Sequence, residues 1–376
     1  MVYNDVIIRA ILGLILPPII KYENTVLLTE TISFDRDSFM SHEESVRIIE
    51  PACRDNSDFA SFSILGESEE GRPIVGVQLG TGNKKVSLVA GAHSDEPVGP
   101  ETLRSLIVQG LAKRDLLEEF FLEHSLYIVP HVNPDGEQRN KVWMSDWPAL
   151  GSYLEHVFRE LPGRDVEFSY PDRRVENQLV SSWLTGAGPF RLHMSLHGMG
   201  FSDGAMLLIE KNWSYRTEQL QVGFTEAAHS VGLRMHDHNR KGEKGFFHIA
   251  PGYTTTPEGA AMRTYFLSRD QPDTAELFGD SSMEFVRGLG GDPLSLVTEL
   301  PLFIVEGDRE PGVPIAYLNF KKALPELRIQ ANNAAAISEA KATYGLNALP
   351  IDQAVYLQLR ALELGLSAIG EQNLAE

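Results

Sequence analysis

Five short apolar runs constrain the fold of this chain more than any other feature. They lie at 85–92 (KVSLVAGA), 125–132 (SLYIVPHV), 190–196 (FRLHMSL), 205–209 (AMLLI) and 294–305 (LSLVTELPLFIV), bounded by Gly, Pro, Asn or Asp. Runs of that length and composition read as buried strands. Between them the apolar residues recur at helical spacing, as at Leu103, Leu106, Ile107 and Leu111 after the first-turn proline Pro100. The segments 215–230, 314–344 and 353–368 read as helices in the same way. Strands alternating with helices predict an α/β fold with helices on both faces of the sheet. There is no internal repeat and no Ser/Gly linker, so one domain is expected over 40–376, with a small lead-in region at 40–80. Residues 1–39 read as an N-terminal extension, disordered or arising from a misassigned start. The apolar stretch VIIRAILGLILPPII within them is too short, and too broken by Arg9 and Pro17-Pro18, to span a bilayer.

Charge narrows the partners. With 52 acidic against 33 basic residues the net charge is −19, which argues against nucleic acid, since binding a polyanion needs a basic face. The single cysteine, Cys53, excludes an intramolecular disulfide and a cysteine zinc cluster. A metal would have to be held by His and carboxylate. With no clear signal peptide, a cytoplasmic location is the simpler expectation.

Two of the strand-like runs end in histidine. His93 follows the first, with Glu96 three residues on, and His197 ends MSLH before a glycine. A catalytic zinc takes three protein ligands and keeps one position open, and ligands gather at the carboxyl edge of an α/β sheet. Taken singly, HxxE is a common loop pair and His197 an ordinary core histidine. A third feature changes the weighing: Glu299 sits inside LVTELPLF, where a carboxylate is costly to bury unless it is paired or used. Two His, a ligand Glu and a Glu whose pKa burial would raise are the parts of metal-assisted hydrolysis.

In order along the chain, HSDE (93–96), HVNPDGEQRN (131–140), SLHG (195–198) and VTEL (297–300) resemble the zinc carboxypeptidase family, from about residue 65 to 306 with a helical tail beyond. The resemblance implies a three-layer α/β/α fold around a mixed, mostly parallel sheet of about eight strands. It implies one zinc ion per chain, held by His93, Glu96 and His197, with Glu299 as general base and acid. The implied activity is cleavage of an amide bond in a peptide or small amide substrate. It also implies an oxyanion-stabilising arginine after NPDG, for which Arg139 is the candidate, and a substrate-capping tyrosine, for which Tyr253 lies in the right region.

One motif departs from the family pattern. The Asn-Arg pair that grips a substrate carboxylate should fall in GRDVEFSYP (163–171), where Glu167 and Phe168 stand instead. Glu167 would repel a carboxylate and suit an amine or another cationic group. Arg173, Arg174 or Arg263 could take over carboxylate binding. Two other readings stay open beside the peptidase. One is an N-acyl amino acid deacylase of the succinylglutamate desuccinylase or aspartoacylase type. The other is an inactive relative that binds a peptide or a metal. His236, His238 and His248 are candidates for a second metal site or for ordinary solvated histidines.

Overall fold

In a computed structural model, residues 28–34 and 36–371 are described; the stretch read as an apolar extension at 6–20 lies outside them. Ten strands form one sheet: β1 (Ala60–Glu67), β2 (Pro73–Leu79), β3 (Lys84–Ala90), β4 (His124–Val129), β5 (Leu192–Ser202), β6 (Met206–Ile209), β7 (His248–Ala250), β8 (Tyr253–Thr255), β9 (Leu294–Ile304) and β10 (Asn347–Ala348). The order is β1-β2-β4-β3-β5-β9-β6-β8-β7, with β10 added to β9. The four central strands, β4-β3-β5-β9, run parallel. Antiparallel partners flank them, β2 against β4 and β6 against β9. The sheet is therefore mixed, with a second parallel pair, β6 and β8, beyond β9 and ten strands rather than eight among the described residues.

Side-chain alternation divides the core between the two faces. On β3, Val86, Leu88 and Ala90 join the larger cluster, roofed by helices Val98–Ala112, Glu218–Ser230 and Ile351–Glu371. Val89 points the other way, into a smaller cluster with Val180 and Leu184 of helix Val175–Ala187 and Val286 of helix Ser282–Gly288. Both faces are covered, which is why the central strands read as nearly continuous apolar runs. The segment read as one helix at 314–344 is two, Ile315–Ile329 and Ala334–Tyr344. Asn333 starts the second by accepting hydrogen bonds from the Ala335 and Ala336 amides. No described helix is long and apolar enough to cross a membrane.

The described residues before Met40 pack on this domain. Leu28, Ile32 and Phe39 are buried in the larger cluster, and Thr29 donates to Glu363 from its amide (2.8 Å) and hydroxyl (3.0 Å). A buried ion network holds the next turn. Arg104 bonds Glu101 (3.0 Å) and Glu137 (2.9 Å), and His131 Nε2 lies 2.8 Å from Glu137. The amides of Met40 and His42 donate to Glu101 and Glu137. Removing one member would strand a buried charge, at a cost of about 3–5 kcal/mol.

His42 itself is buried, with Nε2 2.7 Å from the Pro73 carbonyl. Burial, aided by the neighbouring His131, lowers its pKa to about 4. Because the folded value lies below the unfolded one near 6.5, the unfolded chain binds the extra proton between these limits. Stability should therefore be retained above pH 6.5 and fall as pH drops toward 4, by on the order of 3 kcal/mol from this group. Thermal melts across that window should show the midpoint of His42→Asn falling less steeply than that of wild type. Parallel profiles would remove His42 as the cause.

Candidate active site

The chain leaves β3 through Gly91, at φ +75°, where a Cβ would meet the His131 ring at 2.5 Å. This turn sets His93 and Glu96 at the carboxyl edge of the sheet, just before helix Val98–Ala112. His197 lies on the neighbouring strand β5, and the parallel register places it opposite Glu299 of β9. Ligand atoms of His93, Glu96 and His197 all lie within 4.8 Å of one another. Glu96 sits at the centre. Its Oε1 is 2.9 Å from His93 Nδ1 and accepts from Arg159 (2.8 Å). Its Oε2 is 2.8 Å from His197 Nδ1 and accepts from the Gly198 amide (3.2 Å).

The electrostatics suit a cation. Burial opposes the ionisation of Glu96, but the charges of His93, Arg159 and His197 outweigh it and hold the group well below the usual carboxylate range. Burial likewise opposes the charging of His197, yet Glu96 and Glu167 raise its pKa well above the ordinary value. A proton on His197 thus stands where a metal's charge would stand, and a metal would displace it. Two imidazoles and a carboxylate converging on one point match the donor set of an open zinc site.

Glu299 faces the same cavity, of about 480 Å³. Its Oε2 is closed off from solvent and has no hydrogen-bond partner among the described residues. Burial, reinforced by the Glu96 charge, raises its pKa to about 8, against the opposing pull of His197 and Arg159.

Several of the expected site residues sit elsewhere. Arg139 is half-exposed, ion-paired to Glu70, with its guanidinium 4.9 Å from the Phe158 ring centroid. It does not line the cavity of the triad; Arg159 does. The NPDG turn explains why. Asn133 caps helix Pro134–Ser145 by accepting from the Gly136 amide (3.1 Å) and donates to Glu160 (2.6 Å). Asn140 donates to the Phe158 carbonyl (2.9 Å) and accepts from its amide (2.8 Å). The motif pins residues 158–160 from both sides, and Arg159 between them reaches Glu96 and Asp95 (3.2 Å).

Glu167 borders the triad's cavity, and its carboxylate is bonded to His197 and its neighbours. Its Oε2 lies 3.0 Å from His197 Nε2 and accepts from Ser195 Oγ (3.1 Å). Its Oε1 accepts from the Ser282 amide (3.0 Å) and hydroxyl (2.9 Å). Ser282 continues to His193 Nε2 (3.1 Å), whose Nδ1 lies 2.6 Å from Ser87. His197 therefore keeps Nδ1 toward Glu96 and the cavity while Glu167 fixes its other nitrogen.

Tyr253 lines a separate cavity of about 710 Å³, its hydroxyl bonded to the Gln221 carbonyl (2.5 Å). Arg174 bonds Glu176 (3.1 Å) and the Arg164 carbonyl (2.9 Å). Arg263 bonds the Phe278 carbonyl (2.9 Å). None of the three lines the triad's cavity. His236 pairs with Asp203 (2.5 Å) and His248 with Asp237 (3.0 Å). Among the described residues the triad is the one group arranged to hold a metal.

The chain belongs to the zinc carboxypeptidase family, whose model matches residues 47–243, just over half of it. It is 26% identical over 168 residues to zinc carboxypeptidase A 1 of Anopheles gambiae, covering 42% of this chain and 37% of that protein. It is 22% identical over 163 residues to carboxypeptidase B of Astacus astacus, covering 42% of this chain and 54% of that protein. The matched region thus spans between about a third and just over half of these relatives. Among solved structures, a metallo-carboxypeptidase from Burkholderia cenocepacia shares the fold, with a TM-score of 0.50 at 16% identity over 88% of this chain and 70% of that one.

If Glu167 orients His197, then Glu167→Gln should weaken zinc binding roughly 10–100-fold. Competition against a chelator reads this out, with a melting curve to show that the variant folds. Unchanged affinity would reduce Glu167 to a structural role.

Proposed function

We propose that the chain is a zinc-dependent hydrolase that cleaves an amide or peptide bond. One observation carries this reading: a solvent-shielded carboxylate oxygen of Glu299, with no hydrogen-bond partner, borders the cavity of the triad on the strand position paired with His197. A carboxylate left unpaired at a metal-competent site suits a group whose partner arrives with the reaction.

His93, Glu96 and His197 would hold the zinc, which when bound polarises the scissile carbonyl and lowers the pKa of water. Glu299 takes a proton from the attacking water and later passes it to the leaving amine, a task its raised pKa suits. Arg159, fixed beside Glu96, supplies a donor for the charge that develops on the carbonyl oxygen. Glu167 and Ser195 keep His197 in one orientation. The likeness to proteins named carboxypeptidases supports peptides as the substrate class. An N-acyl amino acid deacylase would use the same centre, and assays with blocked peptides, free-ended peptides and N-acyl amino acids separate the two. The peptidase reading fails if only the last are cut.

Glu299→Gln should retain zinc and lose turnover by orders of magnitude; near-normal kcat with zinc bound would remove it as the base. Arg159→Gln should cut kcat/KM on the order of 10²–10³-fold, whereas Arg139→Gln should leave it within about twofold, since surface pairs contribute little. Steady-state kinetics of the two variants test this, and the reverse pattern would restore Arg139.

A further inference from the structure

The cavity of the triad has a second charged region. Arg240, Lys244 and Lys321 line it on the side of Tyr317 and Phe246, in a chain whose net charge is −19. Arg240 has one carboxylate in reach, the half-exposed Glu243 at 3.6 Å. Among the described residues no carboxylate lies within ion-pair distance of Lys244 or Lys321. Their ammonium groups lie instead by aromatic rings, Lys244 4.5 Å from Tyr265 and Lys321 5.5 Å from Tyr317. Burial lowers the pKa of each lysine, and the charge of Arg240 lowers it further. Three cations against one carboxylate leave two positive charges unbalanced. Arg240 and Lys244 are partly buried and Lys321 is exposed; like charges held together there cost free energy unless an anion joins them.

The region adjoins an apolar recess. Met206, Leu208, Met283 and Val297 form a small buried cluster against which Phe246 packs. Val297 lies two residues before Glu299 on β9 and is buried. The Arg240 guanidinium sits 4.0 Å from the Phe246 ring centroid and so borders this recess. Arg240 is also among the charges that act on the Glu299 carboxyl. The cavity of the triad therefore also offers the Glu299 carboxylate, an apolar recess and a cation cluster with two charges to satisfy.

We infer that Arg240, Lys244 and Lys321 form an anion subsite that receives two carboxylates on the leaving half of the substrate. The leaving group is then an acidic amino acid with a free terminal carboxylate, its methylenes against the apolar recess. Arg240, with its planar fork, takes one carboxylate, and the two lysines take the other as point charges. The subsite rests on the hydrolase reading for its place in the reaction. Its binding chemistry can be measured without turnover.

The experiment uses the zinc-loaded protein and calorimetric titration with glutarate, a dicarboxylate, beside its neutral diamide. Wild type should bind glutarate and not the diamide, more weakly as ionic strength rises. Arg240→Gln should weaken glutarate roughly tenfold or more, and Glu243→Gln, which removes the cluster's own carboxylate, should tighten it. Equal affinity in wild type and Arg240→Gln, or no binding to the folded wild type, overturns the subsite. Turnover is the second readout: N-acyl-glutamate should be cut with higher kcat/KM than N-acyl-phenylalanine, and Lys244→Gln with Lys321→Gln should remove the preference. Cleavage without that preference overturns the subsite and leaves the hydrolase standing. Glutarate binding as described, with no amide of any kind cut, overturns the hydrolase and leaves the subsite standing.

Discussion

The site depends on the register of three parallel strands. β3, β5 and β9 pair so that His197 lies opposite Glu299 and the turn after Ala90 opens at the same edge. A one-residue slip of β5 against β9 would flip one set of side chains to the opposite face and separate the ligand from the carboxylate. Burial on both faces enforces the register, because a slip would carry apolar residues of one cluster into the space of the other. The chemistry is thus held by packing before any polar contact is made.

The polar contacts are arranged around one buried anion. Glu96 costs free energy to desolvate, and two histidines, Arg159 and the Gly198 amide return it through direct bonds. Arg159 is held there by the bonds of Asn133 to the Glu160 carboxylate and of Asn140 to the Phe158 backbone, so the NPDG turn acts on the site at one remove. The two positioning groups act on different ligands, Arg159 on Glu96 and Glu167 on His197.

The triad and Glu299 were legible because each breaks a pattern: a histidine stopping an apolar run, or a carboxylate inside one. So was the layered α/β fold, whose central strands are covered on both faces. Arg159 carried no such mark. It lies in an irregular segment placed by side chains distant in sequence, and Arg139, nearer the motif, drew the assignment instead. Glu167 was noticed as a departure but assigned to substrate, since the sequence does not show that 163–171 meets His197 of β5. Arg174, Arg263 and Tyr253 were chosen for their chemistry, and tertiary structure gave them other partners. The cation cluster was out of reach because its members come from an irregular segment and from helix Ile315–Ile329. Strand β1, half-exposed at the sheet edge, lacked the apolar continuity that marked the others.

The most direct test of the account is the metal content of the purified protein by elemental analysis, wild type beside His93→Ala and His197→Ala. About one zinc per chain in wild type, falling to near zero in both variants while they remain folded, is the result that three converging ligands require. Zinc retained at full stoichiometry in either variant, or a wild type that takes up none when zinc is supplied, would contradict it.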